Sequence, residues 1–486
     1  MHSTKSCEWQ RVLATFQNIW GYDDFRPPQG DIVHSLLNQQ DALVVLPTGG
    51  GKSLCFQLPA LMQTGLTLVV SPLVALMENQ VQELQQRRLP ARLLHSEVSA
   101  SEKRKTFWQL QNGQLRLLYL SPETLLSPKV WECLSRPSLV INGLILDEAH
   151  CLVQWGDTFR PAYRRLGAVR PALLTSKPAG STMAIAAFTA TADPLAQRTI
   201  TQTLQLRNPT SFLINPYRDN LSLQVQTVWT PKGRRKHLLR CIEAHPNQAG
   251  LIYVRTRKES VALAQWLMER GHHTAAYHAG LAAPERRLIE HQWLNGKMMF
   301  VVCTSAFGMG INHPSVRYVV HVQVPMLLSE YVQEVGRAGR DGKAAIALSL
   351  VSEPTGWLDP EDRQRQQFFL QTLKAKYRKA LHLAQTLPQT GEVNAIAREF
   401  KDGAIALSLL HSIGQLDWIG PFHYRMRSQK QSQKTTTLDT GPQQMMAYLR
   451  THDCRWRFLL NAFGFTQEAQ SMNCGQCDRC RRSHKR

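Results

Sequence analysis

Ala42-Leu43-Val44-Val45-Leu46-Pro47-Thr48-Gly49-Gly50-Gly51-Lys52-Ser53 joins an apolar run of strand length to a glycine-rich turn that closes on a lysine and a hydroxyl. A backbone without side chains can wrap a phosphate, and the N–H groups of the turn and of the helix after it favour negative charge. Lys52 supplies a point charge for the outer phosphates, and the Ser53 hydroxyl a ligand for Mg²⁺. About a hundred residues on, Leu144-Ile145-Leu146 runs into Asp147-Glu148-Ala149-His150. This second strand end delivers Asp147 to the metal and Glu148 to an attacking water. The two segments together imply binding and hydrolysis of a nucleoside triphosphate. The strict phosphate-loop pattern has a glycine five residues before Gly51, where this chain has Leu46.

Composition limits the setting. A length of 486 residues suggests two to four domains, and 43% apolar residues is ordinary for a globular chain. No apolar stretch approaches the ~20 residues of a membrane span, and the charged first thirty residues do not read as a secretory signal. A cytoplasmic location and no membrane partner are expected. The 57 Lys and Arg against 36 Asp and Glu give a formal charge of +21, with a pI near 9.8. Such an excess points to a polyanion, and Arg234-Arg235-Lys236 and the 481–486 tail favour nucleic acid over a merely basic enzyme. Cys7, Cys55, Cys133, Cys151, Cys241 and Cys303 are scattered and read as thiols in a reducing compartment.

Strand-length runs alternate with helical patterns from about Trp9 to Phe212, at Leu66–Val70, Leu115–Leu120, Gly143–Leu146 and Met183–Phe188. The alternation restarts at Gly250–Val254, continues through Met298–Val302 and Tyr318–Val322, and ends near Val351. The predicted fold class is α/β: two tandem RecA-like, doubly wound parallel-sheet domains (1–213 and 214–352), then a mainly helical zinc-binding region. Within that region, 353–441 reads as a helical insert and 442–486 as a zinc module with a basic tail. Residues 428–440 are polar and of low complexity, as in a linker.

Further segments make a family resemblance specific. They are 21–29 (Gly-Tyr-Asp-Asp-Phe-Arg-Pro-Pro-Gln), 46–57, Asp147–Cys151, 154–163 (Gln-Trp-Gly-Asp-Thr-Phe-Arg-Pro-Ala-Tyr), 306–312 (Ala-Phe-Gly-Met-Gly-Ile-Asn) and 333–342 (Gln-Glu-Val-Gly-Arg-Ala-Gly-Arg-Asp-Gly). In this order, from about Ile19 to Lys343, they resemble superfamily-2 helicases, and in detail the RecQ DNA helicases. The resemblance implies that Tyr22, Arg26 and Gln29 contact adenine. It places Thr48, Gly49, Gly50, Gly51, Lys52, Ser53 and Gln333 at the nucleotide, and makes Arg340 the arginine finger with Arg337 beside it. By spacing, Ser329 caps a helix that carries Gln333, Arg337 and Arg340 on one face. With Lys52 in the first domain and these arginines in the second, ATP is expected to close a cleft and hydrolysis to reopen it. Thr189 and Thr191 match the coupling motif. Trp155, Phe159 and Tyr163 recur every four residues, as in a core stripe, but Gly156, Arg160 and Pro161 interrupt a helix. The segment resembles the family's aromatic-rich loop, with Trp155, Phe159 and Arg160 at single-stranded DNA.

Cys454, Cys474, Cys477 and Cys480 offer four thiolates at metal spacing, which satisfies a closed tetrahedral zinc site. An iron–sulfur cluster is the other reading, and His452 and His484 are the candidate substitute ligands. The flanking residues resemble the RecQ zinc module and favour zinc. About 110 residues separate Gly342 from Cys454, more than the family's helical hairpin needs. Segments 392–400, 404–419 and 422–427 suggest a winged-helix-like unit with Arg425, Arg427 and Lys430 near phosphates; an elaborated helical packing element fits the same pattern. The chain closes six residues after Cys480, which predicts neither a winged helix after the zinc module nor a terminal HRDC domain. The combined expectation is an ATP- and Mg²⁺-dependent helicase moving 3′ to 5′ on DNA in recombination and repair. Its partners would be single-stranded and partly duplex DNA, with single-strand-binding and recombination proteins. An RNA-directed ATPase of the same superfamily and a DNA-binding or annealing switch are the alternatives.

Overall fold

The computed structural model describes residues 2–47, 49–154, 160–307, 313–427 and 440–483. Thr48, Trp155, Phe159, Lys430 and His484 lie outside them, as do most of the 306–312 motif and the 428–439 linker. The chain forms two units: residues 1–214 with 376–434, and residues 215–375 with 435–486. The 353–441 segment is therefore divided, with its boundary inside the helix Glu361–Ala384.

The first unit is built on seven parallel strands: β1 Ala42–Val45, β2 Leu66–Val70, β3 Ala91–Leu94, β4 Leu117–Leu120, β5 Ile141–Leu146, β6 Ala184–Thr189 and β7 Thr210–Leu213. Their order is β3-β4-β2-β5-β6-β1-β7. Helices cover both faces, so the strands read as continuous apolar runs rather than alternating ones. Leu43 and Val45 enter one core, while Ala42 and Val44 enter the core on the opposite face. The second sheet repeats the plan with β8 Leu221–Val228, β9 Ala249–Tyr253, β10 Ala276–Tyr277, β11 Phe300–Cys303, β12 Val316–His321 and β13 Ala345–Ser352. Its order is β10-β11-β9-β12-β13-β8, again parallel throughout. Trp456, Leu459 and Cys477 of the zinc module share a core with Leu251, Val301 and Val319 on one face of this sheet.

The divided segment supplies a small antiparallel sheet, β14 Thr390–Glu392, β15 Leu416–Trp418 and β16 His423–Met426, in the order β14-β16-β15. Helices Val393–Glu399 and Gly403–Ser412 lie between its first and second strands. The second helix is apolar nearly throughout and packs on the 3₁₀ segment Pro161–Ala168. Phe422 meets the Trp131 ring edge-on at 5.1 Å, and Arg165 donates to the Pro421 carbonyl at 3.1 Å.

One buried polar cluster ties the first unit together. Asp41, just before β1, accepts from Arg170 at 2.8 and 2.7 Å, from the Ile185 N–H at 2.8 Å and from the Arg207 N–H at 2.6 Å. Removing one partner of such a pair leaves a buried charge without compensation. Asp41→Ala is expected to lower unfolding stability by ~3–5 kcal/mol in a denaturant titration; a change below ~1 kcal/mol would show that the cluster is not a structural node.

Candidate functional site

The phosphate loop follows from β1 and from glycine conformations. Gly49 and Gly51 have φ of +89° and +72°, a region closed to most side chains, and Gly51 precedes the helix Lys52–Met62. Lys52 Nζ donates to the Leu46 carbonyl at 3.3 Å, so position 46 contributes its backbone oxygen and a leucine serves there. Gln29 is buried; its amide donates to Gly50 O at 3.0 Å and accepts from the Arg26 N–H at 3.0 Å. Gln29 thus braces the loop, with both ends of its amide engaged. A Cβ on Gly51 would lie 2.3 Å from the Gln29 amide nitrogen. Tyr22 is exposed and packs on Phe16 at 5.8 Å.

Asp147 leaves β5 buried, with its N–H bonded to Val70 O at 2.9 Å. Burial, and then the Glu148 carboxylate, push the Asp147 carboxyl up to about 7, while Lys52 pulls it back. A divalent cation is the partner that would hold such a group ionised, and with the Ser53 hydroxyl the donors are the oxygens that Mg²⁺ takes. Glu148 has φ of +53°, sparsely populated for a residue with a side chain, and this turns its carboxylate away from the strand direction. His150 Nδ1 lies 3.2 Å from Glu148 Oε2 and 3.2 Å from Thr189 Oγ1, and its Nε2 is 3.5 Å from Cys151 Sγ. Thr189 Oγ1 also accepts from the Thr191 N–H at 3.3 Å, so the two strand ends are linked by side chains.

Several expectations need correction. The helix that carries Gln333 runs from Leu328 to Val335, with Ser329 in its first turn and Leu327 at the capping position. Arg337 and Arg340 therefore come after the helix and do not share a helical face with Gln333. After Gly336 the chain runs on in tighter turns, with the Arg337 N–H on Glu334 O at 3.3 Å and the Ala338 N–H on Val335 O at 3.1 Å, and Gly339 with φ of +60° then redirects it. Tyr163 is fully buried in the core, so its ring is unavailable for stacking. Arg160 pairs with Glu123 at 2.7 Å. Arg234 is buried against Asp359 at 2.8 Å and Asp362 at 3.3 Å, so it serves the second unit's core rather than nucleic acid. Arg427 pairs with Asp417 at 2.6 Å, while Arg425 stays exposed on β16.

Two residues that sequence reasoning passed over hold the arginine-bearing turn. Asn220 donates to Gly339 O at 2.7 Å and Lys343 O at 2.8 Å. Arg218 donates to Gly339 O, to Gly336 O at 3.4 Å and to Asn220 Oδ1 at 3.2 Å. Their signal was faint, a polar Arg-Asp-Asn run just ahead of β8.

The four sulfurs of Cys454, Cys474, Cys477 and Cys480 lie within 4.8 Å of one another, with Cys474 and Cys480 3.8 Å apart and Cys477 and Cys480 3.4 Å apart. Tetrahedral zinc at ~2.3 Å from each sulfur spaces them by ~3.8 Å, so the set fits the ion. N–H groups of Cys474, Cys477 and Cys480 point at sulfur at 3.4–3.5 Å, as thiolates require. His452 is outside this set. Behind it, Arg455 is fully buried and binds Asp478 through two bonds of 2.9 and 3.0 Å.

A phosphate loop, an acidic strand end and an arginine-bearing turn on two parallel sheets define the two-domain nucleoside-triphosphatases of the helicase class. Residues 26–199 match the DEAD/DEAH box helicase family, 233–342 the helicase conserved C-terminal domain and 421–481 the RecQ zinc-binding family. An ATP-dependent DNA helicase RecQ of Synechocystis is 50% identical over 97% of this chain and 98% of its own length. The RecQ of Haemophilus influenzae is 38% identical over 75% of this chain and 58% of its own. Among solved structures, S. cerevisiae Dbp5 bound to RNA and ADP BeF3 has a TM-score of 0.56 at 16% identity, over 73% of this chain and 90% of that one. Mycobacterium smegmatis helicase Lhr reaches 0.55 at 18%, over 86% and 60%. These two likenesses establish the fold. The chain belongs to the RecQ family of ATP-dependent DNA helicases.

Cys477→Ser is expected to reduce bound zinc from one ion per chain to none, and to lower Tm by about 5 °C or more. Retention of stoichiometric zinc, read by atomic absorption, would contradict the four-thiolate assignment.

Proposed function

We propose that this protein uses ATP and Mg²⁺ to move along single-stranded DNA in the 3′-to-5′ direction and to separate duplexes, as a recombination and repair helicase of the cytoplasm. The observation that carries the reading is that Lys52, seated on Leu46 O at the carboxyl end of β1, and the buried Asp147, leaving β5, emerge from the same edge of one parallel sheet. Lys52 offsets phosphate charge there, Asp147 and Ser53 hold the metal, and the turned-out Glu148 orients water. Mg²⁺ held by Asp147 and Ser53 would supply positive charge against the charge that develops on the phosphates. Arg340, with Arg337, is proposed to serve the same nucleotide as an arginine finger, a role typically worth ~10³–10⁵ in turnover. Gln333, Tyr22 and Arg26 complete the nucleotide set, with Tyr22 free to stack on the base, and Gln29 would reach adenine by exchanging its bonds to Gly50 O and the Arg26 N–H.

DNA is proposed to meet Trp155 and Phe159, whose stacking would be indifferent to sequence at ~1–3 kcal/mol per base, with Arg160 exchanging its Glu123 partner for a phosphate. Phosphate contacts make binding fall steeply with salt. Residues 390–426 have the strand order and helix placement of a winged helix, which supports that reading of the small sheet. Its second helix is occupied by the 161–168 segment, so contact with duplex falls to the exposed β16 side around His423 and Arg425. Single-strand-binding and recombination proteins are the proposed protein partners.

Unwinding of short duplexes bearing a 3′ or a 5′ single-stranded tail, at low salt with ATP and Mg²⁺, tests this directly. The expected result is separation of the 3′-tailed duplex alone, abolished by Lys52→Ala. Separation of neither duplex, with ATP hydrolysis intact, would replace the helicase reading with an annealing or switch role.

A further inference from the structure

Residues 217–222 lie between the zinc module and the arginine-bearing turn and contact both. Towards the module, the Tyr217 ring meets Trp456 edge-on at 5.3 Å. Gln476, between two of the zinc cysteines, donates its amide to the Asp219 carbonyl. Trp456 Nε1 donates to Leu221 O at 3.1 Å, and Ser222 Oγ donates to Gln476 O at 2.9 Å. Towards the turn point the side chains of Arg218 and Asn220, the residues between those contacts. The Leu221 N–H bonds Arg218 O at 3.2 Å, so 218–221 is a turn just ahead of β8 that presents both side chains on one side.

The turn has bonds of its own: the Arg337 and Ala338 N–H groups reach Glu334 O and Val335 O at 3.3 and 3.1 Å, the Gly342 N–H reaches Gly339 O at 3.1 Å, and Arg340 Nε donates to Gly336 O at 3.4 Å. Each carbonyl oxygen has two lone pairs, so those of Gly336 and Gly339, on either side of Arg337, still have room for further donors from outside the turn. Asn220 and Arg218 supply them, gripping the carbonyls of Gly336, Gly339 and Lys343. Arg218 also donates to Asn220 Oδ1, which fixes the amide with its nitrogen towards the turn. A Cβ on Gly339 would stand 2.6 Å from that nitrogen and 2.8 Å from Lys343 O, so the grip admits only glycine. A second contact reaches the preceding helix: Tyr448 OH donates to Tyr331 OH at 2.9 Å, and Arg455 donates to Tyr448 O at 2.5 Å. All three side chains are fully buried.

We propose that Arg218 and Asn220 are positioning residues for Arg337 and Arg340, and that the zinc module controls ATP turnover by setting the 217–222 segment that carries them. This rests on the reading of Arg340 as the arginine finger. The zinc-loaded module fixes Asp219, Leu221 and Ser222 from one side; the side chains on the other side fix the carbonyls around Gly339, and with them the direction in which Arg340 leaves the chain. Neither Arg218 nor Asn220 needs to touch the nucleotide.

Asn220→Asp keeps the size of the side chain and turns a donor into an acceptor facing two carbonyls. In the full zinc-loaded chain with saturating oligo(dT), it is expected to lower kcat for ATP about tenfold, with KM for ATP within about twofold of wild type. Zinc content should stay at one per chain, and Tm should fall by no more than about 5 °C, far less than the tenfold loss of kcat would require if it came from unfolding. Gln476→Ala, which leaves all four cysteines, should lower kcat about two- to threefold in the same pattern. Wild-type kcat in Asn220→Asp would overturn the proposal, as would a fall in kcat that tracks loss of zinc or of Tm. Arg340→Ala separates the two readings: wild-type kcat in that variant overturns the finger assignment itself, whatever Asn220→Asp does.

Discussion

The parallel register of β5, β6 and β1 is the constraint on which the first unit depends. Val45 lies opposite Thr189, and Leu146 opposite Ala187, so three consecutive neighbours in the sheet end at nearly the same level. Parallel strands all point their carboxyl ends one way, and the loop leaving each strand must emerge along that edge. The phosphate loop after β1, Asp147 and Glu148 after β5, and Thr189 and Thr191 at the end of β6 are therefore adjacent although far apart in sequence. His150 is the joint between them. It touches Glu148 and Thr189 at once, so a displacement of either strand end is felt by the other.

The second unit solves a different problem. Its arginine-bearing turn bends at Gly339, whose φ of +60° suits glycine, and its own short-range bonds leave carbonyls open to further donors. Stiffness comes from neighbours that present donors to its carbonyls and, on the helix before it, from a buried ionic cluster. Glu334 binds Arg255 at 2.9 and 2.6 Å and lies 2.8 Å from His321 Nε2. Burial alone would raise the Glu334 pKa, but Arg255 and His321 outweigh it and hold the carboxyl down at about 2. It is ionised throughout the physiological range, and the pairing is lost only as pH falls through that low value. The helix is thereby fixed at Glu334 and Tyr331, three residues apart on its inner side.

How legible this was from sequence differed with the kind of interaction. Buried parallel strands announce themselves as short apolar runs, and β2, β5, β6, β9 and β12 were readable to within a few residues. The phosphate loop, the acidic strand end and the four cysteines were readable because each is a local pattern with a chemical reason for its spacing. Arg337 and Arg340 were identifiable, but the helix assumed for them was not correct, since spacing of three and four does not reveal that Gly339 adopts a left-handed conformation. Arg234 shows the opposite error: a basic run suggests a polyanion, while the burial of one member against Asp359 and Asp362, more than a hundred residues away, cannot be read locally. Arg218 and Asn220 act on backbone carbonyls about 120 residues on, and no local pattern encodes such a contact. The same holds for the apolar helix Gly403–Ser412, whose partner segment Pro161–Ala168 is some 240 residues earlier.

The central claim is that the edge formed by β1, β5 and β6 hydrolyses ATP on behalf of a DNA-bound motor, with Glu148 activating the water. The most direct measurement is steady-state ATP hydrolysis with and without single-stranded DNA, by the wild-type chain and by Glu148→Gln, together with nucleotide binding by each. Wild-type turnover is expected to rise at least about tenfold with DNA, and Glu148→Gln to bind ATP normally while losing at least about 10²-fold in kcat. Turnover indifferent to DNA, or a Glu148→Gln protein as active as wild type, would contradict it.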